Sequence, residues 1–184
     1  RTRLAPVVLQ VLPSLETGGG GVERATIDIA AAITASGAPA FVASSGGYLT
    51  NELDRCGAKH ITLPLASKNP FVMRRNVHRL VNIIAQNGIN IVHARSRAPA
   101  WSARVAARRT GCSFITTFHG AYNYGSGIAG AWKKRYNAVM ADGDIVIANS
   151  NFITDLLRTR YGVAEDRLRV VLRGVDLNVF NPAK

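Results

Sequence analysis

Apolar residues fall in short continuous runs, separated by stretches where they recur every three or four positions, which predicts alternating strands and helices. Leu4 to Leu12 is apolar nearly throughout, as a parallel strand covered on both faces should be. Glu23 to Ala35 carries Ala25, Ile29, Ala32 and Ile33 at helical spacing, and Ser36-Gly37 closes it as a C-cap. Pro39 to Ala43 predicts a second strand, Leu49 to Cys56 a short helix and His60 to Leu63 a third strand. From Phe71 to Gln86, Met73, Val77, Leu80, Val81 and Ile84 form one apolar stripe, with Arg74, Arg75, His78 and Arg79 largely opposite, and Asn87-Gly88 ends it. Ile89 to His93, Ser113 to Phe118, Asp144 to Ala148 and Leu168 to Leu172 read as further strands. Pro99 to Arg109, Ala129 to Met140 and Asn151 to Tyr161 read as the helices between them. This order predicts an α/β fold: a doubly wound, Rossmann-like parallel sheet of about seven strands with helices on both faces.

Composition changes this picture in one respect. The 184 residues fit one domain with a full core. No apolar run approaches the roughly 18 residues that span a bilayer. The basic start and apolar stretch of Arg1 to Leu12 resemble a signal peptide, but no small-residue cleavage site follows, so the stretch reads as the first strand. Cys56 and Cys112 lack any CxxC spacing, which argues against a disulfide framework or zinc site and for buried thiols in a reducing cytoplasm. The departure is the net charge of +12. Each basic run (Arg95-Ser96-Arg97, Arg104 to Arg109, Lys133-Lys134-Arg135) reads by itself as a solvated helix face, whereas the total points to an anionic partner.

In an open α/β sheet, ligands bind beyond the carboxyl ends of the strands. The turn Gly18-Gly19-Gly20-Gly21-Val22-Glu23 lies at the first such end, where glycines admit close approach and the free N–H groups of a starting helix attract anions. A dinucleotide fingerprint fits poorly. GxGxxG in either register places Glu23 or Arg24 sixth, and the second strand ends at Ser44-Ser45 without an acidic residue for a ribose. No GKS or GKT follows, which excludes a P-loop. His119, after Thr116-Thr117-Phe118, stands at another strand end, where its imidazole either meets a ligand or satisfies a loop carbonyl. His93 is a weaker candidate of the same kind, and His60 and His78 read as structural or exposed.

The GGGGVE turn, the Thr-Thr-Phe-His-Gly run, the Ile-Ala-Asn-Ser-Asn-Phe segment and the closing Arg-Gly-Val-Asp-Leu-Asn-Val-Phe-Asn-Pro together resemble the N-terminal half of retaining GT-B glycosyltransferases of family 4, the "group 1" class. Arg173 stands where such enzymes usually carry Asn. The resemblance implies that Gly19, Gly20 and Gly21 approach the donor diphosphate or acceptor, with Glu23 beside them at the start of the first helix. It implies that His119 contacts the transferred sugar or supports the transition state, and that Ser150 and Arg173 join the substrate and phosphate site. It places the donor nucleotide and an ExxxxxxxE pair in a second domain. Here Glu16 and Glu23 fall one residue short of that spacing, and the chain, stopping at Lys184, reads as an acceptor-side domain without its donor half.

The activity implied is transfer of a sugar from a nucleotide sugar to a lipid-linked, phosphorylated or cell-envelope glycan such as lipopolysaccharide, without a metal or other cofactor. A cytoplasmic protein is expected, peripheral on the inner face of the membrane. Arg74, Arg75 and Arg79, with Trp132, Lys133, Lys134 and Arg135 in a run that ends at Tyr136, are the membrane-facing candidates. Two alternatives remain: half of a non-hydrolysing sugar-nucleotide epimerase, or a basic nucleic-acid-binding module. No helix-turn-helix, RRM or zinc-finger pattern supports the latter, so no nucleic acid is expected.

Overall fold

The computed structural model describes residues 5–16, 20–122 and 125–174. Gly19 of the glycine turn, and the closing run from Val175 onward, lie outside the described residues. Within these residues seven strands form one all-parallel sheet: β1 (Val8–Val11), β2 (Ala40–Ser44), β3 (Lys59–Thr62), β4 (Ile91–Ala94), β5 (Ser113–Phe118), β6 (Ile145–Ala148) and β7 (Leu168–Val170), in the spatial order β3-β2-β1-β4-β5-β6-β7. Six α-helices connect them: α1 (Gly21–Ala35), α2 (Thr50–Arg55), α3 (Pro70–Asn87), α4 (Arg97–Thr110), α5 (Gly127–Asn137) and α6 (Asn151–Tyr161).

β1 is central, with Val8 beside both Ala40 of β2 and Ile91 of β4. Side chains alternate between the faces of a strand, and the two cores follow that period. Leu9, Val11, Phe41 and Ala43 belong to the core that takes in Leu80 and Ile84 of α3 and the alanines of α4. Leu12, Ala40 and Val42 belong to the core with Ile27 and Ala30 of α1 and Leu53 of α2. Gln10 points toward that second face, and its Nε2 donates to the Thr26 carbonyl at 3.0 Å. The order of strands reverses between β1 and β4, since the chain winds outward from β1 through β3 and returns to β4. That reversal is the crevice where such sheets take ligands.

Helix ends follow local chemistry. Asn69 caps α3 by accepting from the Phe71 N–H at 2.9 Å, and Gly88, at φ 62°, terminates it. Some expectations shift. Of the stretch expected as the first strand, among the described residues only Val8–Val11 is strand, and the helix expected to run to Met140 ends at Asn137, followed by a 3-10 turn over Ala138–Ala141. Cys56 and Cys112 are half-buried rather than buried; both thiols are free and donate to the carbonyls of Leu53 and Ile89.

Candidate functional site

The carboxyl ends of β1, β4 and β5 gather a cluster of cationic and imidazole groups. Arg95 follows β4 directly, its N–H donating to the Val11 carbonyl of β1 at 2.9 Å. This backbone bond ties it to the strand that feeds the glycine turn. Its side chain is only 2% exposed, and Nε has no partner among the described residues. Burial and the charge of Arg173 pull its pKa down to about 10. The Arg95-Ser96-Arg97 run is therefore no solvated helix face, contrary to the expectation from sequence. Arg97 is also engaged: Nη1 donates to Asn137 Oδ1 at 2.9 Å, and the guanidinium lies 4.3 Å from the Tyr122 ring centroid.

His119 stands one residue past β5. Asn149 Nδ2 donates to its backbone carbonyl at 3.1 Å, fixing the turn, while both ring nitrogens are buried without partners among the described residues. Burial first, then the charges of Arg95 and Arg173, lower its pKa to about 3. The imidazole is thus neutral at physiological pH, with one N–H and one lone pair to offer. His93, buried on β4, shares a 2.7 Å hydrogen bond with Thr117 Oγ1 and is held neutral first by burial and then by the charge of Arg95.

Arg173 reaches back from beyond β7 to the start of α1, where its guanidinium donates to the Gly21 carbonyl. Gly20 is the N-cap of α1 and supplies no side-chain cap. The first N–H groups of the helix consequently have no side-chain acceptor and carry the positive end of its dipole. A Cβ on Gly21 would overlap the Arg173 guanidinium, whereas one on Gly20 would meet open space. Glu23, in the first turn of α1, is half-buried, and its Oε2 lacks a partner among the described residues.

Of the residues singled out from sequence, Arg173 and Gly21 are thus in direct contact, and His119 is electrostatically coupled to Arg173. Gly20 and Glu23 flank Gly21 in chain order. Ser150 stands at the end of β6, but its hydroxyl accepts from the Ile153 N–H at 3.2 Å and caps α6. Arg74, Arg75 and Arg79 lie on α3, the first two exposed and Arg79 half-buried. Trp132, Lys133, Lys134 and Arg135 are exposed on α5, while Tyr136 turns inward and stacks on Trp101 with ring centroids 6.3 Å apart. Sequence reasoning passed over Arg95, although the rule of strand ends includes it. An apolar depression of about 670 Å³ lies at the opposite end of the sheet, lined by Val7, Ile84, Ile89 and neighbours; it contains no titratable side chain and carries no chemistry.

A seven-stranded parallel sheet of this order is the fold of the N-terminal half of GT-B glycosyltransferases. Residues 19–179 match the model of Glycosyltransferase Family 4, and the chain belongs to that family. A glycosyltransferase from Rickettsia africae ESF-5 is 41% identical, with a TM-score of 0.80 over 97% of this chain and 45% of that one. HepE from Anabaena, solved in complex with UDP, is 17% identical with a TM-score of 0.71, covering 96% and 47% of the two chains. A Listeria monocytogenes protein assigned as a UDP-N-acetylglucosamine 2-epimerase shares the fold more loosely, at 14% identity and a TM-score of 0.63, covering 90% and 44%. The chain thus spans about half the length of each of these three structures. No curated protein sequence matches it.

Proposed function

We propose that this chain forms the acceptor-side half of a retaining glycosyltransferase that moves a sugar from a nucleotide sugar to a lipid-linked or cell-envelope glycan. The observation that carries this reading is the cluster at the switch point. Two guanidiniums and an uncapped helix start sit beside an imidazole that stays neutral. A leaving diphosphate needs fixed positive charge, and a transferring sugar needs hydrogen bonds that do not themselves ionise; the cluster offers both. The nucleotide belongs, on this reading, to a second domain that pairs with this one. HepE, with its bound UDP, supports a uridine nucleotide as the first donor to try.

The test is transfer by the full-length protein from radiolabelled UDP-sugars to a membrane glycolipid extract, with NMR of the new anomeric centre. We expect a retained anomeric configuration and a loss of about a hundredfold or more in kcat for His119→Ala, the scale seen when one stabilising donor is removed. Conversion of UDP-N-acetylglucosamine to its 2-epimer without any acceptor would instead establish the epimerase reading. Among the described residues no cluster of three or more His, Cys, Asp or Glu is placed to hold a metal ion. Transfer without a metal is part of the proposal; loss of turnover in EDTA would refute it.

A second observation favours a membrane-surface location on the cytoplasmic side. In α5 only Gly130, Tyr136 and Asn137 are shielded, so Ile128 and Trp132, 81% and 70% exposed, stand beside Lys133, Lys134 and Arg135. An apolar face with basic neighbours suits the boundary of an anionic leaflet. No helix among the described residues is long and apolar enough to cross a membrane.

A further inference from the structure

On α5, Ile128, Trp132 and Arg135 follow one another at i, i+4 and i+7, so they share one face of the helix. All three are exposed. That face ends at a pocket of about 370 Å³, lined among others by Trp101, Arg104, Arg135, Asp142 and Arg167. It lies where α4 and α5 meet the two 3-10 turns Ala138–Ala141 and Glu165–Arg167. Arg167 directly precedes β7, and its Nη1 donates at 3.0 Å to the carbonyl of Gly143, which precedes β6. The pocket therefore lies toward the amino ends of these strands, away from the cleft. Its wall is fixed by ring contacts: Trp101 stacks on Tyr136, and the Arg104 guanidinium lies 5.1 Å from the Trp101 ring centroid.

The charge of this pocket is unbalanced. Arg104, Arg135 and Arg167 face a single carboxylate, Asp142. That carboxylate is already shared, since its Oδ2 accepts from Arg104 at 2.6 Å and from Arg108 at 2.9 Å. Arg135 and Arg167 have no carboxylate partner among the described residues. Acids in the adjoining turns do not make up the difference. Glu165 is held by Arg158, Asp144 accepts the Phe114 N–H at 2.8 Å, and Asp166 is exposed to solvent.

A free anion would use the pocket alone, and a neutral lipid the apolar stripe alone. An anionic amphiphile uses both. We propose that the pocket takes the headgroup phosphate of an acidic membrane phospholipid whose apolar part lies against Ile128 and Trp132. Guanidiniums suit the role because each offers paired N–H groups to phosphate oxygens. The site rests on the membrane reading of α5 and gives it a specific contact. Diffuse attraction would weigh all basic residues alike, whereas a pocket makes Arg135 and Arg167 matter more than a neighbouring lysine of equal charge.

Calorimetric titration of the full-length protein with dihexanoylphosphatidylglycerol, kept below its micelle concentration, tests this. Dihexanoylphosphatidylcholine and inorganic phosphate serve as comparisons. We expect the acidic lipid to bind saturably and more tightly than either. Affinity should fall about tenfold in Arg135→Gln and Arg167→Gln, but less than about twofold in Lys134→Gln, which removes the same charge from α5. Arg167→Gln gives up the bond to Gly143 and could unfold the turn; Arg135→Gln, at an exposed position without an ion pair among the described residues, keeps the test valid. Inorganic phosphate binding as tightly as the acidic lipid would overturn the lipid assignment. Equal losses in Arg135→Gln and Lys134→Gln would overturn the pocket. If the protein then still preferred acidic to neutral vesicles, the broader membrane reading of α5 would survive that result.

Discussion

Gly21 and Gly47 both lack room for a methyl group, yet they should respond to alanine in opposite ways. At Gly47 the backbone holds φ at 141°, and a Cβ would come within 2.5 Å of the Leu15 carbonyl group, which cannot move. At Gly21, the first residue of α1, the backbone is not left-handed, and the group in the way is the end of a long side chain. Gly21→Ala should therefore leave the thermal midpoint unchanged or slightly raised, because alanine favours a helix by up to about 1 kcal/mol over glycine. A large loss of stability in Gly21→Ala, comparable to Gly47→Ala, would contradict this placement of Arg173. Ser150 makes a second contrast. Its hydroxyl caps α6, so Ser150→Ala should cost about 1 kcal/mol in urea unfolding. The residue scale was also the least legible from sequence. Arg95 reads as a surface residue because the groups that act on it are distant in the chain, Val11 accepting its backbone N–H and Arg173 lowering its pKa, and no periodicity announces such neighbours.

The elements, by contrast, follow from patterns that act locally. Strands buried on both faces must be apolar at consecutive positions, and β5 and α6 begin and end where those patterns and the Asn151 and Gly162 boundaries put them. Errors fall where hydrophobicity continues past a hydrogen-bonding limit. Val139 and Met140 are buried like helical residues but belong to a 3-10 turn, so apolarity alone extends the predicted helix. α5 is the element whose surface is least accounted for by packing, and its prediction concerns that surface. Trp132 supplies apolar contact and the three cations supply attraction of about 1 kcal/mol each near an anionic bilayer. Co-sedimentation with phosphatidylglycerol vesicles should therefore exceed that with phosphatidylcholine vesicles, and should fall in high salt. Trp132→Ala should weaken it at all salt concentrations, whereas charge reversal at Lys133 and Lys134 should abolish its dependence on lipid charge. Equal binding to both vesicle types would end the membrane reading.

For the whole molecule, the decisive property is positive charge folded around neutral histidines. The chain carries a net +12 before any histidine ionises, and the cluster at the switch point keeps His93 and His119 unprotonated. In the unfolded chain both imidazoles would titrate near their ordinary value, about 6.5. Their folded pKa values are depressed, that of His119 to about 3. Between these limits the unfolded state binds more protons than the folded state, so stability must rise with pH there and fall as the solution is acidified. For His119 the loss should approach about 2 kcal/mol between roughly pH 7 and pH 5, and His93 adds to it in the same direction. Self-repulsion of the basic surface acts in the same direction, but it is screened by salt, whereas the histidine contribution is buried and persists. Urea unfolding at both pH values in high salt isolates the latter. His119→Gln should reduce the pH slope by nearly one proton, leaving that of His93. A wild-type slope near zero would mean that the two imidazoles exchange protons freely with solvent, which would contradict the burial that holds them neutral.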